Sequence, residues 1–124
     1  MKKLETITFR FPNEFNLKGT VNIQPNEIIT VISDNIQDLT PLLNLLYTFY
    51  AFGADYFKEG KLSGQDVAEK MKDQLGELEV KNVIYKEVWP HSVNFGELCY
   101  SSDPTVNLEI TWRFRSFQDL LSDT

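Results

Sequence analysis

The sequence predicts an α+β fold, mainly antiparallel: a β-sandwich or half-barrel with one packed amphipathic helix. Three observations carry this expectation. Apolar and polar residues alternate near both ends of the chain, over residues 4–11 and again over Thr105–Arg115. A capped run with helical spacing, Pro41–Phe52, lies between them. The chain has 124 residues, the size of one domain that can bury its own core, so residues 1–124 are read as a single unit.

Each element follows from its local chemistry. Ile7, Phe9 and Phe11 share one face of the first strand, with Thr6, Thr8 and Arg10 on the other. Pro12-Asn13 ends it. A second short strand is expected near Gly19–Ile23, with Val21 and Ile23 on one face, and Gln24-Pro25-Asn26-Glu27 is a turn of hairpin length. Glu27–Ile32 carries β-branched residues on both faces, which predicts a central strand buried on both sides. Thr40 then caps a helix with Pro41 at its first position, where a missing amide costs nothing. Leu42, Leu45, Leu46, Phe49 and Tyr50 form its apolar face, and Gly53 is its expected stop. Residues 54–76 read as a flexible or helical linker. Ser63 and Asp66 have capping spacing there, and Val67, Met71 and Leu75 recur every fourth residue before Gly76.

The C-terminal half predicts a β-hairpin. Glu77–Val88 reads as one long strand with Leu78, Val80, Ile84 and Val88 on one face, and Trp89-Pro90 breaks it because proline has no amide donor. Phe95–Tyr100 is a short strand and Ser101-Ser102-Asp103-Pro104 a turn. In Thr105–Arg115, Val106, Leu108, Ile110, Trp112 and Phe114 point inward. At roughly 1.5–3 kcal/mol for each buried side chain, this strand is the largest single contributor to the core. Residues 118–124 are expected to fray.

Composition narrows the function. Apolar residues make up 42% and charged residues 24% of the chain, which is ordinary globular usage. The net charge of −6 argues against a grip on nucleic-acid phosphates. The N-terminus lacks the apolar run of a signal peptide, and Leu42–Phe52 is too short to span a bilayer, so no membrane partner is expected. One cysteine, Cys99, permits no internal disulfide.

Chemistry-bearing patterns are sparse. His91 and Cys99 stand eight residues apart without the further ligands a zinc site needs. Cys99, between Leu98 and Tyr100, reads as a small hydrophobe and not as a nucleophile. Glu77 and Glu79 share a strand face, but solvent-facing carboxylates at that spacing are more often a charged surface than an acid–base pair. No phosphate-binding glycine loop appears. Arg10, Arg113 and Arg115 face outward while Phe9, Trp112 and Phe114 face the core, so no stacking platform for bases forms. The arginines suit edge-strand guards or subunit contacts. No catalytic residue, no metal and no cofactor is expected, and the chain is read as a non-enzyme.

One segment carries a resemblance. Val80-Lys-Asn-Val-Ile-Tyr-Lys-Glu-Val-Trp89-Pro90-His-Ser-Val93 is followed by Gly96-Glu97-Leu98, Tyr100-Ser101-Ser102 and Leu108-Glu-Ile-Thr-Trp-Arg-Phe114. This order resembles the C-terminal part of the tail tube proteins of contractile-tailed bacteriophages: a strand ending in an aromatic-Pro pair, a small-Val step, a hydrophobic strand, a Ser/Asp turn and a last alternating strand. Ile28–Phe49 resembles that family's hydrophobic strand, polar turn and amphipathic helix. From Ile28 to Phe114 the two segments span about two thirds of the chain, and Trp89 and Pro90 are the structural markers. Only 27 residues precede Ile28, where the family usually has more chain, so a shortened baseplate, neck or tube-end relative is the variant reading.

The resemblance implies a virion protein assembled in the host cytoplasm. It would form a homo-oligomer, a hexameric ring, and join other tail proteins, with DNA at most passing through a lumen. An acidic chain suits such a passage. The outward residues Arg10, Glu77, Glu79, Glu109, Arg113 and Arg115 are the candidate assembly interface. The alternative from a different class is a small cytosolic α+β adaptor or ligand-binding domain unrelated to phage.

Overall fold

The computed structural model describes residues 3–35, 37–58, 72–95 and 105–121. Its elements are β1 (Glu5–Arg10), β2 (Glu14–Ile23), β3 (Glu27–Asn35), α1 (Thr40–Lys58), β4 (Gly76–Val80), β5 (Val83–Phe95), β6 (Thr105–Arg113) and β7 (Ser116–Asp119). All the strand pairings are antiparallel. The α+β class expected from the alternating ends and the single capped helix is therefore what the chain adopts.

The layering differs from that expectation. The strand order is β4-β1-β2-β3-β6-β5-β7, and β4 also pairs with β5. That last pairing closes six strands into a barrel, so neither a sandwich nor a half-barrel describes the molecule. Closure satisfies ladder groups that an open sheet leaves at its edges. It depends on β5 changing partners along its length. Its first residues pair with β4, Ile84 opposite Glu79, and its later ones pair with β6, Trp89 opposite Arg113.

The barrel interior is filled by side chains. Ile7 and Phe9 of β1, Leu17 of β2, Ile28 and Ile32 of β3, Leu78 and Val80 of β4, and Leu108, Ile110 and Trp112 of β6 are all buried. An aromatic chain runs through it. Phe9 stacks on Phe15 at 5.0 Å between ring centroids and lies 5.6 Å from Trp112. Phe11 reaches Trp112 at 5.8 Å and meets Phe49 of α1 edge-on at 6.3 Å. Among the described residues the buried polar side chain on this face is Thr30 of β3. Its hydroxyl accepts a 2.9 Å hydrogen bond from the Trp112 Nε1–H and lies 3.5 Å from the Ile110 carbonyl oxygen, to which it donates. Two polar groups thus enter the core with their hydrogen-bonding needs met.

Several sequence expectations need correction, each for a physical reason. The second strand starts at Glu14 and not near Gly19, because Phe15 and Leu17 continue the inward face opposite Phe9 and Ile7. Ile23, expected to share a face with Val21, is 40% exposed at the strand end. Gly19 takes an inward position where a Cβ would stand 2.5 Å from the Val31 carbonyl oxygen. β3 is central, but only Ile28, Thr30 and Ile32 are buried, and Ile29 and Val31 are half-buried on the outer face.

Thr40 begins α1, but its hydroxyl donates back to the Gln37 carbonyl. The preceding turn is instead fixed by Asn35, whose Oδ1 accepts from the Gln37 amide and whose carbonyl accepts from Asp38 and Leu39. Leu42, Leu45, Leu46 and Phe49 of α1 are buried, as the spacing predicts, and the side chain of Tyr50 lies outside those described. Gly53 does not stop the helix, which continues to Lys58. The start of the expected 54–76 linker is therefore helical. The second helix expected at Val67 and Met71 lies outside the described residues. Leu75 packs on the core, and Gly76 opens β4 where a Cβ would collide with the Arg10 carbonyl and the Phe11 ring.

The long strand expected over Glu77–Val88 is two strands. Lys81 and Asn82 carry φ of 54° and 65°, the two left-handed residues of a tight hairpin turn. Trp89-Pro90 does not end β5 either. Pro90 stands opposite Trp112 inside the ladder, and the irregularity falls one residue later, where His91 forms a bulge. Residues 96–104, with the expected strand end and Ser101–Pro104 turn, lie outside the described residues. The tail is not frayed at Gln118. Ser116–Asp119 forms β7, which pairs with Val83–Lys86. β7 continues the line of β6 along β5, after a break at Phe114-Arg115, so the C-terminal hairpin is longer than its alternation suggested.

Candidate assembly surface

The charged residues singled out from the sequence take distinct places on the barrel exterior. Arg10 is central to one group. On β1 it stands opposite Glu14 of β2 and opposite Glu77 of β4. Its Nε donates to Glu14 Oε1 at 2.9 Å and its Nη2 to Glu79 Oε1 at 3.0 Å, and Nη1 is 3.7 Å from Glu77 Oε1. The hydrogen bond to Glu79, opposed by burial and reinforced by Glu14, raises the Arg10 pKa above its ordinary value. One guanidinium therefore ties three adjacent strands, β2, β1 and β4, together on the barrel exterior. Glu77 and Glu79, which on sequence could have been an acid–base pair, are counter-ions of this clamp.

Arg113 and Arg115 are paired as well. Arg113 stands opposite Glu27, with Nε 3.9 Å from Glu27 Oε2. Arg115 Nη1 lies 3.4 Å from Glu87 Oε2, and Glu87 has a φ of 54° where β5 bulges against β4. Glu109 is exposed on β6. It borders a surface concavity of about 390 Å³ with Lys3, Glu5, Lys81, Ile29 and Val31. The six candidate residues are not one patch: Arg10, Glu77 and Glu79 lie on β1 and β4, and the others on or just beyond β6.

The marker pair is structural. Trp89 is 3% exposed and Pro90 is buried beside it. His91 is half-buried in the bulge. Burial lowers its pKa from 6.5, the Arg113 charge lowers it further, and Glu27 partly offsets both. Cys99 lies outside the described residues, so a Cys–His pair is not placed. Among the described residues no group of three His, Cys, Asp or Glu side chains is arranged to hold a metal ion, and no helix is long and apolar enough to cross a membrane.

Sequence reasoning missed the apolar surface. Phe117 is 62% exposed and Leu121 76% exposed, with Leu120 between them partly exposed. Phe117 lies 6.2 Å from both Tyr85 and Phe114, whose rings meet edge-on at 4.8 Å. Phe117 and Leu121 fall out of phase with the apolar face Val106–Phe114, because the break at Phe114-Arg115 shifts the alternation by one residue, so a period of two did not point to them. Comparison with protein-family models, with curated protein sequences and with solved structures finds no match for this chain.

Proposed function

We propose that the chain is a bacteriophage virion structural protein, a tail tube component or a tube-associated or baseplate relative, that assembles into rings and acts through its surfaces without catalysis. The observation that carries this reading is the ordered segment Val80–Phe114, whose described parts form the β5–β6 wall of a barrel with a flanking helix. A filled interior leaves the exterior to do the work. That exterior has a net acidic charge, which suits passage of DNA without retention. It also bears exposed apolar residues of the kind that neighbouring subunits cover.

Size-exclusion chromatography with light scattering, followed by negative-stain microscopy, tests the reading. Rings, or co-elution with tail proteins expressed together with the chain, are expected. A protein that forms no ring at high concentration and binds no tail component refutes it. The second reading, a small cytosolic adaptor or ligand-binding domain, draws on the concavity between Lys3, Lys81 and Glu109. It predicts saturable binding of a small ligand there and loss of that binding on Lys81→Glu.

A further inference from the structure

We propose that β7 pairs antiparallel with the β7 of a second copy of this chain, on a two-fold axis through Phe117. Among the described residues β7 ends the sheet order with no strand beside its second edge, and all four of its residues are exposed. Backbone direction decides which residues that open edge presents. The Leu120 amide donates to the Asn82 carbonyl of the β5 side at 2.8 Å. Alternation along the strand then turns the amides and carbonyls of Ser116 and Gln118 toward β5, and those of Phe117 and Asp119 toward the open edge.

A two-fold axis through Phe117 uses those outward groups. The two Phe117 residues exchange both of their backbone hydrogen bonds. Each Asp119 amide meets the Arg115 carbonyl of the other copy. The side chains agree with this register, because Arg115 of one copy stands opposite Asp119 of the other, twice, by symmetry. An axis through Gln118 would also use the outward groups of Phe117 and Asp119, but it sets Arg115 opposite Leu121 and leaves it no acidic residue across the axis. An axis through Asp119 would oppose two like charges. The exposed Phe117 ring, beside Tyr85 and Phe114, becomes the apolar centre of the contact. The pairing closes on itself after two copies, so it is a different contact from the one that makes a ring, and it holds whether or not the chain belongs to a virion.

Sedimentation equilibrium of the full chain up to about 0.1 mM, where a small contact of this class is populated, is the first measurement. A dimer is expected, and Phe117→Asp, at a position outside the core, is expected to weaken it at least about tenfold without changing the far-ultraviolet circular dichroism. Arg115→Asp and Asp119→Arg are each expected to weaken the dimer, and the double variant to recover most of the loss. In a Cys99→Ser background, Phe117→Cys is expected to form an intermolecular disulfide on mild oxidation, since directly opposed residues of a hydrogen-bonded pair lie about 5.5 Å apart. Gln118→Cys, which faces Ser116 in this register, is expected to form far less. A monomer throughout, a double charge variant no better than the singles, or equal cross-linking at 117 and 118 overturns the proposal. Rings that survive Phe117→Asp with no dimer in the wild type would overturn this contact alone, and a β7 dimer without rings would overturn the ring-forming role alone.

Discussion

Replacing Thr30 by Val and Trp112 by Phe, singly and together, measures how much the buried polar pair holds the barrel. Both side chains are fully buried, and the indole N–H donates to the threonine hydroxyl at 2.9 Å. Thr30→Val keeps the shape but leaves the indole N–H without an acceptor, at a cost of about 1–3 kcal/mol. Trp112→Phe removes the donor and leaves a gap beside Phe9 and Phe11, at a cost of about 1–3 kcal/mol. In the double variant no orphaned N–H remains, so its loss falls short of the sum by about 1–2 kcal/mol. For a chain of this length each kcal/mol corresponds to about 3–6 °C in Tm. Urea titrations followed by far-ultraviolet circular dichroism give the free energies, since Trp112 is one of only two tryptophans and its removal alters the fluorescence signal. Additivity within about 0.5 kcal/mol would refute the claim that the two groups satisfy each other.

Three further outcomes are expected. Gly19→Ala places a methyl group 2.5 Å from the Val31 carbonyl oxygen and 2.9 Å from Ile32 Cγ1, and is expected to lower stability by about 1–3 kcal/mol in the same titration. Changing Lys81-Asn82 to Asn-Gly supplies residues suited to two positive φ angles, and is expected to raise stability by about 0.5–1 kcal/mol, read as a higher urea midpoint. The pKa of the sole histidine, His91, is lower in the folded chain than its ordinary 6.5, so the unfolded chain binds the proton more readily. Its contribution is complete above about pH 6.5 and is lost as pH falls through that value toward the folded pKa. Urea midpoints between about pH 5 and 8 should show this decline, and His91→Gln should flatten it.

Local pattern exposed the parts of this molecule whose chemistry is local. Ile7 and Phe9, and Leu108, Ile110 and Trp112, announce their strands because one face must be buried and the other wetted. Leu42, Leu45, Leu46 and Phe49 announce the helix for the same reason at a different period. What the pattern hid depends on partners distant in sequence. β1 meets β4 at Arg10 and Glu77, and closure of the barrel rests on β5 pairing with β4 before it passes to β6; neither choice is encoded near the residues that make it. The Lys81-Asn82 turn was hidden because no glycine marks it and the flanking apolar residues read straight through. Pro90 looked like a stop because it lacks an amide, yet it is tolerated at the place where β5 changes partners and a bulge follows at His91. The charged candidates were visible one at a time. Their mutual pairing was not, and it makes Arg10 and its carboxylates a clamp across β2, β1 and β4.

The pairing of β3 with β6 sets a timetable for the nascent chain. Asn35 ladders with Thr105, seventy residues later. At about 5–20 residues per second, the ribosome needs roughly 4–14 s to deliver the partner after β3 has been made. During that interval β1, β2 and β3 can form a hairpin ribbon, but the apolar face carrying Phe9, Ile28 and Ile32 lacks its far wall. Interactions of such sequence separation form late and slowly even in the released chain. Synthesis therefore passes through a sticky half-barrel, and output of folded protein should fall where translation is slowed between Asn35 and Thr105 or where chaperones that shield apolar strands are depleted.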